Sequence, residues 1–268
     1  MILSENKSYF QFELLKKFKD LQHFSTTIHG GVSIGNYATF NLGLYSGDSI
    51  ESVSESRNRL CSFFHIDEEN LYTPYQTHED KILIIDDNFI EQTDLEKSKL
   101  LHGIDAIITN QKGIGIAVGT ADCVPILLYD SKLQLLAAIH AGWRGTALKI
   151  VSKTISIMKE KFGSNPANII AGIAPSISRE YFEVGDEVVE AFEKAGFSTE
   201  DIGYRCAESG KIHLDLWFAN EFLLFKSGIP IENIETSGLC TYSNPELFFS
   251  ARRQGISSGR MLTGGIIL

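Results

Sequence analysis

The feature that most constrains the fold of this chain is a series of short, almost wholly apolar runs, each of strand length. Runs of this kind are typical of strands whose two faces are both covered. The strands predicted in this way are Leu71–Tyr75, Lys81–Ile85, Ala106–Thr109, Ile114–Gly119, Pro125–Asp130, Leu135–His140, Ile169–Ile173, Ile234–Ser237 and Met261–Ile267.

Segments with helical periodicity separate these runs. They predict helices over Ser49–Phe64, Gly145–Phe162, Asp186–Ala195 and Asp215–Phe225. Strand-rich stretches followed by long helices indicate an α+β sandwich with the helices on the outside. No linker, low-complexity tract or internal repeat interrupts the chain, so we expect a single domain of residues 1–268.

The charge pattern limits the partners of the protein. A net charge of -10 without a long basic run argues against a broad surface for nucleic acid, although a few arginines in a pocket could still bind a small anion. The N-terminus carries charges where a signal peptide would be apolar, and no window approaches the roughly 20 apolar residues of a membrane span. We therefore expect a cytoplasmic protein that binds no membrane, and the sequence leaves its oligomeric state open.

The four cysteines have no CxxC spacing, so a cysteine with a role acts singly, as a metal ligand or a nucleophile. Cys123 begins one apolar strand and His140 ends the next. Two adjacent antiparallel strands would bring these side chains to the same edge of a sheet. His78 follows another apolar run and could complete a set of one thiolate and two imidazoles. Such a set, with one open position for water, matches catalytic zinc.

The same residues allow other interpretations. A nucleophilic pair, with Cys123 as thiolate and His140 as base, would leave His78 without a role. Asp122 could orient either arrangement by a hydrogen bond, although an aspartate that begins a strand is often a turn or capping residue. A metal that only stabilises a partner-binding module is the third interpretation, and the residues alone leave all three open.

Several motifs along nearly the whole chain resemble those of the laccase-domain family, also called the polyphenol oxidoreductase or YfiH-like family. The most specific is the pairing of Thr120-Ala-Asp-Cys123-Val-Pro with Ile139-His-Ala-Gly-Trp-Arg-Gly145 in this order. The others are His29-Gly-Gly-Val-Ser33, Asn41-Leu-Gly-Leu, Gln76-Thr-His78, Asp105-Ala-Ile-Ile-Thr109, Phe182-Glu-Val-Gly-Asp186, Phe249-Ser-Ala-Arg-Arg253 and Gly259-Arg260-Met261.

The resemblance implies a zinc ion held by His78, Cys123 and His140. It also implies a four-layer α/β/β/α sandwich with mixed sheets, similar to the catalytic domain of cytotoxic necrotizing factors. The implied activities are the phosphorolysis of adenosine, inosine and S-methyl-5′-thioadenosine to free base and sugar 1-phosphate, and the deamination of adenosine. The family name instead suggests copper-dependent oxidation of phenols. Seven histidines without an HxH pair argue against a multicopper centre, although copper could occupy the zinc position.

Phosphorolysis and deamination each need further groups. For deamination, Asp122 and Glu183 are the candidates for the acid or base that moves the proton. Asn41 suits a base edge or a ribose hydroxyl, and equally a plain turn. The side chains available to bind phosphate through guanidinium forks are Arg57, Arg144, Arg252 and Arg253.

Overall fold

The structure, a computed structural model, describes residues 1–268 and contains fifteen strands. The strands are β1 (Ile2–Leu3), β2 (Tyr9–Gln11), β3 (Leu21–Thr26), β4 (Leu71–Tyr72), β5 (Ile82–Ile85), β6 (Ala106–Thr109), β7 (Gly115–Thr120), β8 (Val124–Asp130), β9 (Leu135–Ala141), β10 (Ile169–Ile173), β11 (Glu183–Val184), β12 (Gly203–Arg205), β13 (Ile212–Leu214), β14 (Ile234–Thr236) and β15 (Met261–Ile267).

Nine α-helices connect or flank the strands, and none is long and apolar enough to span a membrane. The helices are α1 (Ile50–Phe64), α2 (Asp87–Ile90), α3 (Asp94–Leu100), α4 (Trp143–Ala147), α5 (Ile150–Phe162), α6 (Asp186–Lys194), α7 (Thr199–Ile202), α8 (Leu216–Lys226) and α9 (Ala251–Gln254). Short 3-10 turns lie at Leu15–Lys17, Gly35–Tyr37, Glu68–Asn70, Pro166–Asn168 and Ile231–Asn233.

The strands form two six-stranded sheets and one small sheet. The first sheet has the order β1-β2-β3-β15-β7-β4, the second has the order β14-β10-β8-β9-β6-β5, and the small sheet has the order β11-β13-β12. Both large sheets are mixed, because β4 pairs with β7, β5 with β6, and β10 with β14 in parallel, whereas their other pairs are antiparallel.

Strand β9 shows why the central runs are apolar. Leu136 and Ala138 belong to the core between the two large sheets, together with Val118 of the first sheet. Leu135 and Ile139 point to the other face, where α5 and α8 contribute to a second core. On the far face of the first sheet, α1 contributes to a third core. Burying one such leucine fully stabilises the fold by roughly 2 kcal/mol.

The prediction of an α+β fold with mixed sheets is confirmed, and all nine predicted strands and three of the four predicted helices are present within a few residues. The finer four-layer description and the likeness to cytotoxic necrotizing factors stay predictions. The single helix predicted over Gly145–Phe162 is wrong: Lys149, with φ of 61°, adopts a left-handed conformation that separates α4 from α5. Strand β3 was missed because it buries His23, Ser25 and Thr26 among its apolar residues.

His23 in β3 makes the stability of the fold depend on pH. Burial lowers the pKa of His23 to about 4, and its Nε2 accepts a hydrogen bond from the Phe12 N–H at 2.8 Å, so the folded protein keeps this imidazole neutral. The unfolded chain takes up the proton near pH 6.5. The contribution of neutral His23 to the free energy of unfolding is therefore fully present above about pH 6.5 and is lost as the pH falls toward about 4. Over this range the free energy of unfolding changes by about 3 kcal/mol.

We expect His23→Gln, which retains an acceptor, to remove this part of the pH dependence. Free energies of unfolding from urea titrations at pH 7 and pH 4 measure it. The exposed His65 supplies the matched control, and His65→Gln should keep the wild-type dependence. An equally steep loss of stability in His23→Gln would show that His23 is not held neutral in the folded protein.

Candidate functional site

Strands β8 and β9 bring Cys123 and His140 together. The two strands are antiparallel, with Val124 opposite Ala141 and Pro125 opposite His140, so the residue before β8 lies beside the end of β9. His78 approaches from the loop that follows β4, and the ligand atoms of all three residues lie within 4.8 Å of one another. The sequence-based expectation that these side chains share one edge of a sheet is met, and they form a group that could hold a metal ion.

Asp105, which sequence reasoning gave no role, holds two of these residues in place. Its carboxylate is fully buried; Oδ1 accepts hydrogen bonds from His140 Nδ1 at 2.7 Å and from the His78 N–H at 3.0 Å. Oδ2 accepts from the Glu79 N–H at 2.9 Å. Because an ionised carboxylate only accepts, Nδ1 of His140 carries the hydrogen and Nε2 is left free to bind a metal. The signal in the sequence was the Asp105 motif at the start of β6.

The electrostatics favour a thiolate at Cys123. Burial raises the pKa of the thiol, but the imidazoles of His140 and His78 outweigh this effect and hold the pKa below its usual range. Burial lowers the pKa of His140, but the charges and hydrogen bonds of Cys123 and Asp105 outweigh it and hold that pKa above its usual range. The pair therefore favours the thiolate, the form of cysteine that binds metals.

Gly142 lets the chain pass close to this group. A Cβ atom at Gly142 would lie 3.1 Å from Cys123 Sγ and 3.2 Å from His78 Cδ2. Few real Cβ atoms have neighbours this near, so a side chain here would push the sulfur and the imidazole aside. The glycine between His140 and Trp143 thus has a role in shaping the site.

Asp122 does not orient either histidine, in contrast to the sequence-based hypothesis. Its Oδ1 accepts from the Thr241 hydroxyl at 2.6 Å, and its Oδ2 accepts from the Ser250 hydroxyl at 2.9 Å and from the Arg252 N–H at 2.6 Å. These donors occupy both oxygens of a buried carboxylate whose backbone has φ of 89°. Asp122 therefore ties the loop before Cys123 to the start of α9, and the structure gives it a positioning role instead of an acid-base role.

His78, Cys123 and His140 line a cavity of about 630 Å³. A volume of this size suits a small organic substrate. Its wall includes polar and charged side chains from several segments, and Leu44, Tyr45 and Ile256 give it an exposed apolar portion. The charged or amide side chains that line it beside the ligands include Gln76, Asp122, Arg252 and Arg260.

Only Arg252 of the four predicted phosphate-binding arginines lines this cavity. Arg57 is buried elsewhere, where its Nε donates to Glu68 Oε1 at 2.9 Å and its Nη2 donates to the Leu71 carbonyl. Arg144 is exposed on α4 with its guanidinium 4.3 Å from the Trp143 ring centre. Arg253 donates to the carbonyls of three residues of the neighbouring loop, Thr241, Tyr242 and Phe248. The prediction is corrected for these three residues.

Asn41 is also corrected, because it lies behind the cavity wall. Its side chain is fully buried and donates to Ser46 Oγ at 2.7 Å and Asp48 Oδ2 at 3.0 Å. Its Oδ1 accepts from the N–H groups of Gly43 and Arg260. Protein groups therefore satisfy the hydrogen-bonding capacity of the Asn41 amide, in line with the turn role that the sequence had also allowed.

Glu183, the other proposed acid or base, lies in the small sheet with its carboxylate 2.9 Å from Lys211 Nζ. It does not line the cavity. Arg260, in contrast, lines the cavity although sequence reasoning gave it no role. The motif around Gly259 was the signal, but only the fold shows which way this arginine faces.

Comparison with known proteins adds the family. A family model described as multi-copper polyphenol oxidoreductase laccase matches residues 22–267. A "Purine nucleoside phosphorylase" of Bacteroides thetaiotaomicron is 44% identical over 265 residues, which are 99% of this chain and 98% of that protein. "Adenosine deaminase RL5", from an unknown prokaryotic organism, is 42% identical over 255 residues, 95% of this chain and 97% of that protein.

Solved structures agree with the sequence comparison. YlmD from Geobacillus stearothermophilus superimposes with a TM-score of 0.89 at 29% identity, covering 98% of this chain and 97% of that one. The hypothetical protein YfiH of Bacillus licheniformis gives the same TM-score at 31% identity, covering 97% of each chain. The fold and the site thus define a member of an enzyme family with a candidate metal centre. The chain belongs to the multi-copper polyphenol oxidoreductase laccase family, also called YfiH-like.

Proposed function

We propose that this chain is a zinc-dependent purine nucleoside enzyme. Its reactions are the phosphorolysis of adenosine, inosine and S-methyl-5′-thioadenosine, and the deamination of adenosine. The observation that carries the proposal is the group His78, Cys123 and His140, whose ligand atoms lie within 4.8 Å of one another beside a cavity of about 630 Å³. The names of the two relatives, a nucleoside phosphorylase and an adenosine deaminase, supply the substrate class.

The donor set suits zinc. Two imidazoles and one thiolate are borderline-soft ligands, and three protein ligands leave a position open for water or substrate. The lowered pKa of Cys123 and the hydrogen bond from His140 to Asp105 prepare the sulfur and the imidazole for a metal. Zinc bound there would act as a Lewis acid and lower the pKa of a water molecule to about 7.

The two reactions place different demands on the protein. Deamination forms a C6–O bond with water and releases ammonia from the purine. Phosphorolysis forms a bond between a phosphate oxygen and C1′ of the ribose, and breaks the C1′–N9 bond; the base leaves with the bonding electrons and takes up a proton. The chain must therefore hold a nucleoside near His78, Cys123 and His140 and, for the second reaction, an anion beside the ribose. The wall of the cavity, with Arg252 and Arg260, offers both an apolar and a cationic portion.

The alternatives fit the structure less well. His78, Cys123 and His140 are the one group of three or more potential metal ligands in the protein, so the several sites of a multicopper oxidase have no residues to hold them. A Cys–His covalent hydrolase leaves His78 unexplained. It also predicts that Cys123 reacts freely with iodoacetamide, whereas a metal-bound thiolate is protected until a chelator removes the metal.

The proposal is tested by metal analysis of the purified protein, followed by chromatography of adenosine incubated with it in the presence and absence of phosphate. We expect about one equivalent of zinc, as a three-ligand site predicts. Inosine should form without phosphate, whereas free base and ribose 1-phosphate should form only with it. A zinc-loaded protein that leaves adenosine, inosine and S-methyl-5′-thioadenosine unchanged would rule out the proposed nucleoside turnover, and phenol oxidation with added copper would then be the next assay. The single-domain organisation and the cytoplasmic location stay predictions.

A further inference from the structure

Two sequence motifs without an assigned role meet behind the cavity. Asn41 Oδ1 accepts a hydrogen bond from the Arg260 N–H at 2.8 Å, and the Leu42 N–H donates to the Arg260 carbonyl at 3.1 Å. The segment before α1 therefore forms hydrogen bonds with both the N–H and the carbonyl group of Arg260, which directly precedes β15. This contact explains why a buried asparagine stands at position 41 without reaching the cavity itself.

The missing side chain of Gly43 makes room for Arg260. A Cβ atom at Gly43 would lie 2.7 Å from Cγ and 2.8 Å from Cβ of Arg260, far closer than such atoms approach in proteins. The stem of the arginine therefore runs directly over the backbone of Gly43. Together with the hydrogen bonds of Asn41 and Leu42, this contact fixes where the arginine enters the cavity.

The guanidinium of Arg260 has hydrogen-bond donors that no protein atom accepts. Its Nη1 donates to the Ser258 carbonyl at 2.6 Å and to Ser258 Oγ at 2.9 Å, and its Nη2 donates to the Ile256 carbonyl at 3.3 Å. Nε and the second hydrogen of Nη2 have no hydrogen-bond partner in the protein. No carboxylate forms an ion pair with this half-buried arginine, in contrast to Arg57 and Arg59.

A partly desolvated cation without a counter-charge is unfavourable by itself. Burial lowers the pKa of Arg260, and the charges of Cys123 and Asp122 oppose this effect. The Cys123 thiolate would be taken up by a bound metal, and the Asp122 carboxylate already accepts hydrogen bonds from Thr241, Ser250 and the Arg252 N–H. The free Nε–Nη2 edge is the edge of a guanidinium that binds a carboxylate or phosphate through two parallel hydrogen bonds. The unused edge of the Arg260 guanidinium is therefore suited to an oxyanion.

We propose that Arg260, held by Asn41 and Gly43, binds inorganic phosphate in the cavity beside His78, Cys123 and His140. This inference rests on the proposed function, since it gives the anionic co-substrate of phosphorolysis its place. Arg252 also lines the cavity and adds a second positive charge there, although its guanidinium donates to the carbonyls of Tyr181 and Glu183. Arg260 thus joins Arg252 in place of Arg57, Arg144 and Arg253, which the sequence had also suggested.

The test measures phosphate binding by isothermal titration calorimetry on the purified, metal-loaded protein and its variants. Arg260→Gln should raise the Kd of phosphate about 10- to 100-fold, the effect expected when a charge-assisted hydrogen-bonded fork is lost. Arg260→Lys keeps the stem and the charge, and should lose less. Arg59→Gln, on the exposed side of α1, is the matched control and should leave the Kd unchanged. Adenosine deamination, which needs no phosphate, should keep its KM and kcat within about two-fold in the Arg59→Gln control.

Adenosine 5′-monophosphate carries the same dianionic group, so its binding is measured beside that of phosphate. If the wild-type protein binds the nucleotide through Arg260 but not inorganic phosphate, the proposal is overturned. An unchanged phosphate Kd in a folded Arg260→Gln protein overturns it as well. If phosphate binds through Arg260 while no nucleoside is turned over, the anion site stands and the proposed function fails.

Discussion

Replacing Cys123 with serine is expected to weaken zinc binding so that dialysis removes the metal, and to abolish nucleoside turnover, while leaving the fold intact. A hydroxyl group does not ionise at neutral pH, so the variant loses the one anionic ligand of the group. If the roughly 10–16 kcal/mol of a zinc site is shared among four ligands, one ligand contributes about 2.5–4 kcal/mol, and the Kd for zinc rises about 60- to 700-fold. Metal analysis after dialysis, together with deamination and phosphorolysis rates, measures both effects.

Cys206→Ser provides the matched control for this experiment. Cys206 is a free, half-buried cysteine at the end of β12 and does not line the cavity. The control should retain the zinc content and the rates of the wild-type protein. If Cys123→Ser keeps one equivalent of zinc and full turnover, the metal lies elsewhere. If the variant keeps zinc but loses turnover, and iodoacetamide inactivates the zinc-loaded wild-type protein, these results support a covalent role for Cys123 as a nucleophile.

Replacing Asp105 with asparagine is expected to weaken metal binding about 10- to 100-fold, the usual effect of losing the partner that orients a histidine ligand. The carboxylate accepts from His140 Nδ1 and from the N–H groups of His78 and Glu79. An amide turns two of its acceptor positions into donors, so it opposes one of these N–H groups. When the amide nitrogen faces His140, the imidazole takes the tautomer with its hydrogen on Nε2, and that nitrogen cannot bind a metal. Competition with a chelator measures the change in Kd.

The stability of the Asp105→Asn protein must be separated from its metal affinity. We expect the free energy of unfolding to fall by about 1–3 kcal/mol, because buried donors lose their acceptor. Asp130→Asn is a control for this loss. Asp130 is equally buried and accepts hydrogen bonds from the Ser164 hydroxyl and the Lys132 N–H, but it lies at the opposite end of β8 from Cys123. The control should lose stability without losing metal affinity. Equal zinc affinities in the two variants would limit Asp105 to a structural role.

The family name and the site lead to different expectations about the metal. The name refers to several copper ions, whereas the protein offers one group of three ligands, of which one is a thiolate. The two relatives named after nucleoside reactions cover nearly the whole chain. The ligand set and these relatives therefore support a single metal and a nucleoside substrate.

The sequence predicted the central part of this protein well. The apolar runs located β8 and β9, and an antiparallel pair of strands necessarily brings the residue before the first strand beside the end of the second. That argument placed Cys123 next to His140. The search for apolar runs missed β3, because buried polar residues such as His23 and Ser25 interrupt its apolar pattern. Residue types thus predicted local structure only where burial and apolarity coincide.

The arginines and aspartates could not be sorted from the sequence, because their roles depend on contacts between distant segments. Asp105 and Asp122 are both buried carboxylates that precede strands, yet only Asp105 reaches the candidate ligands. Arg57 is neutralised by Glu68, whereas Arg260 lines the cavity without an ion-paired carboxylate. The sequence by itself determined the apolar strands and which side chains could bind a metal, since both follow from residue type and local spacing. The tertiary structure alone decided which charges meet, because hydrogen bonds and ion pairs require atoms within about 3–4 Å.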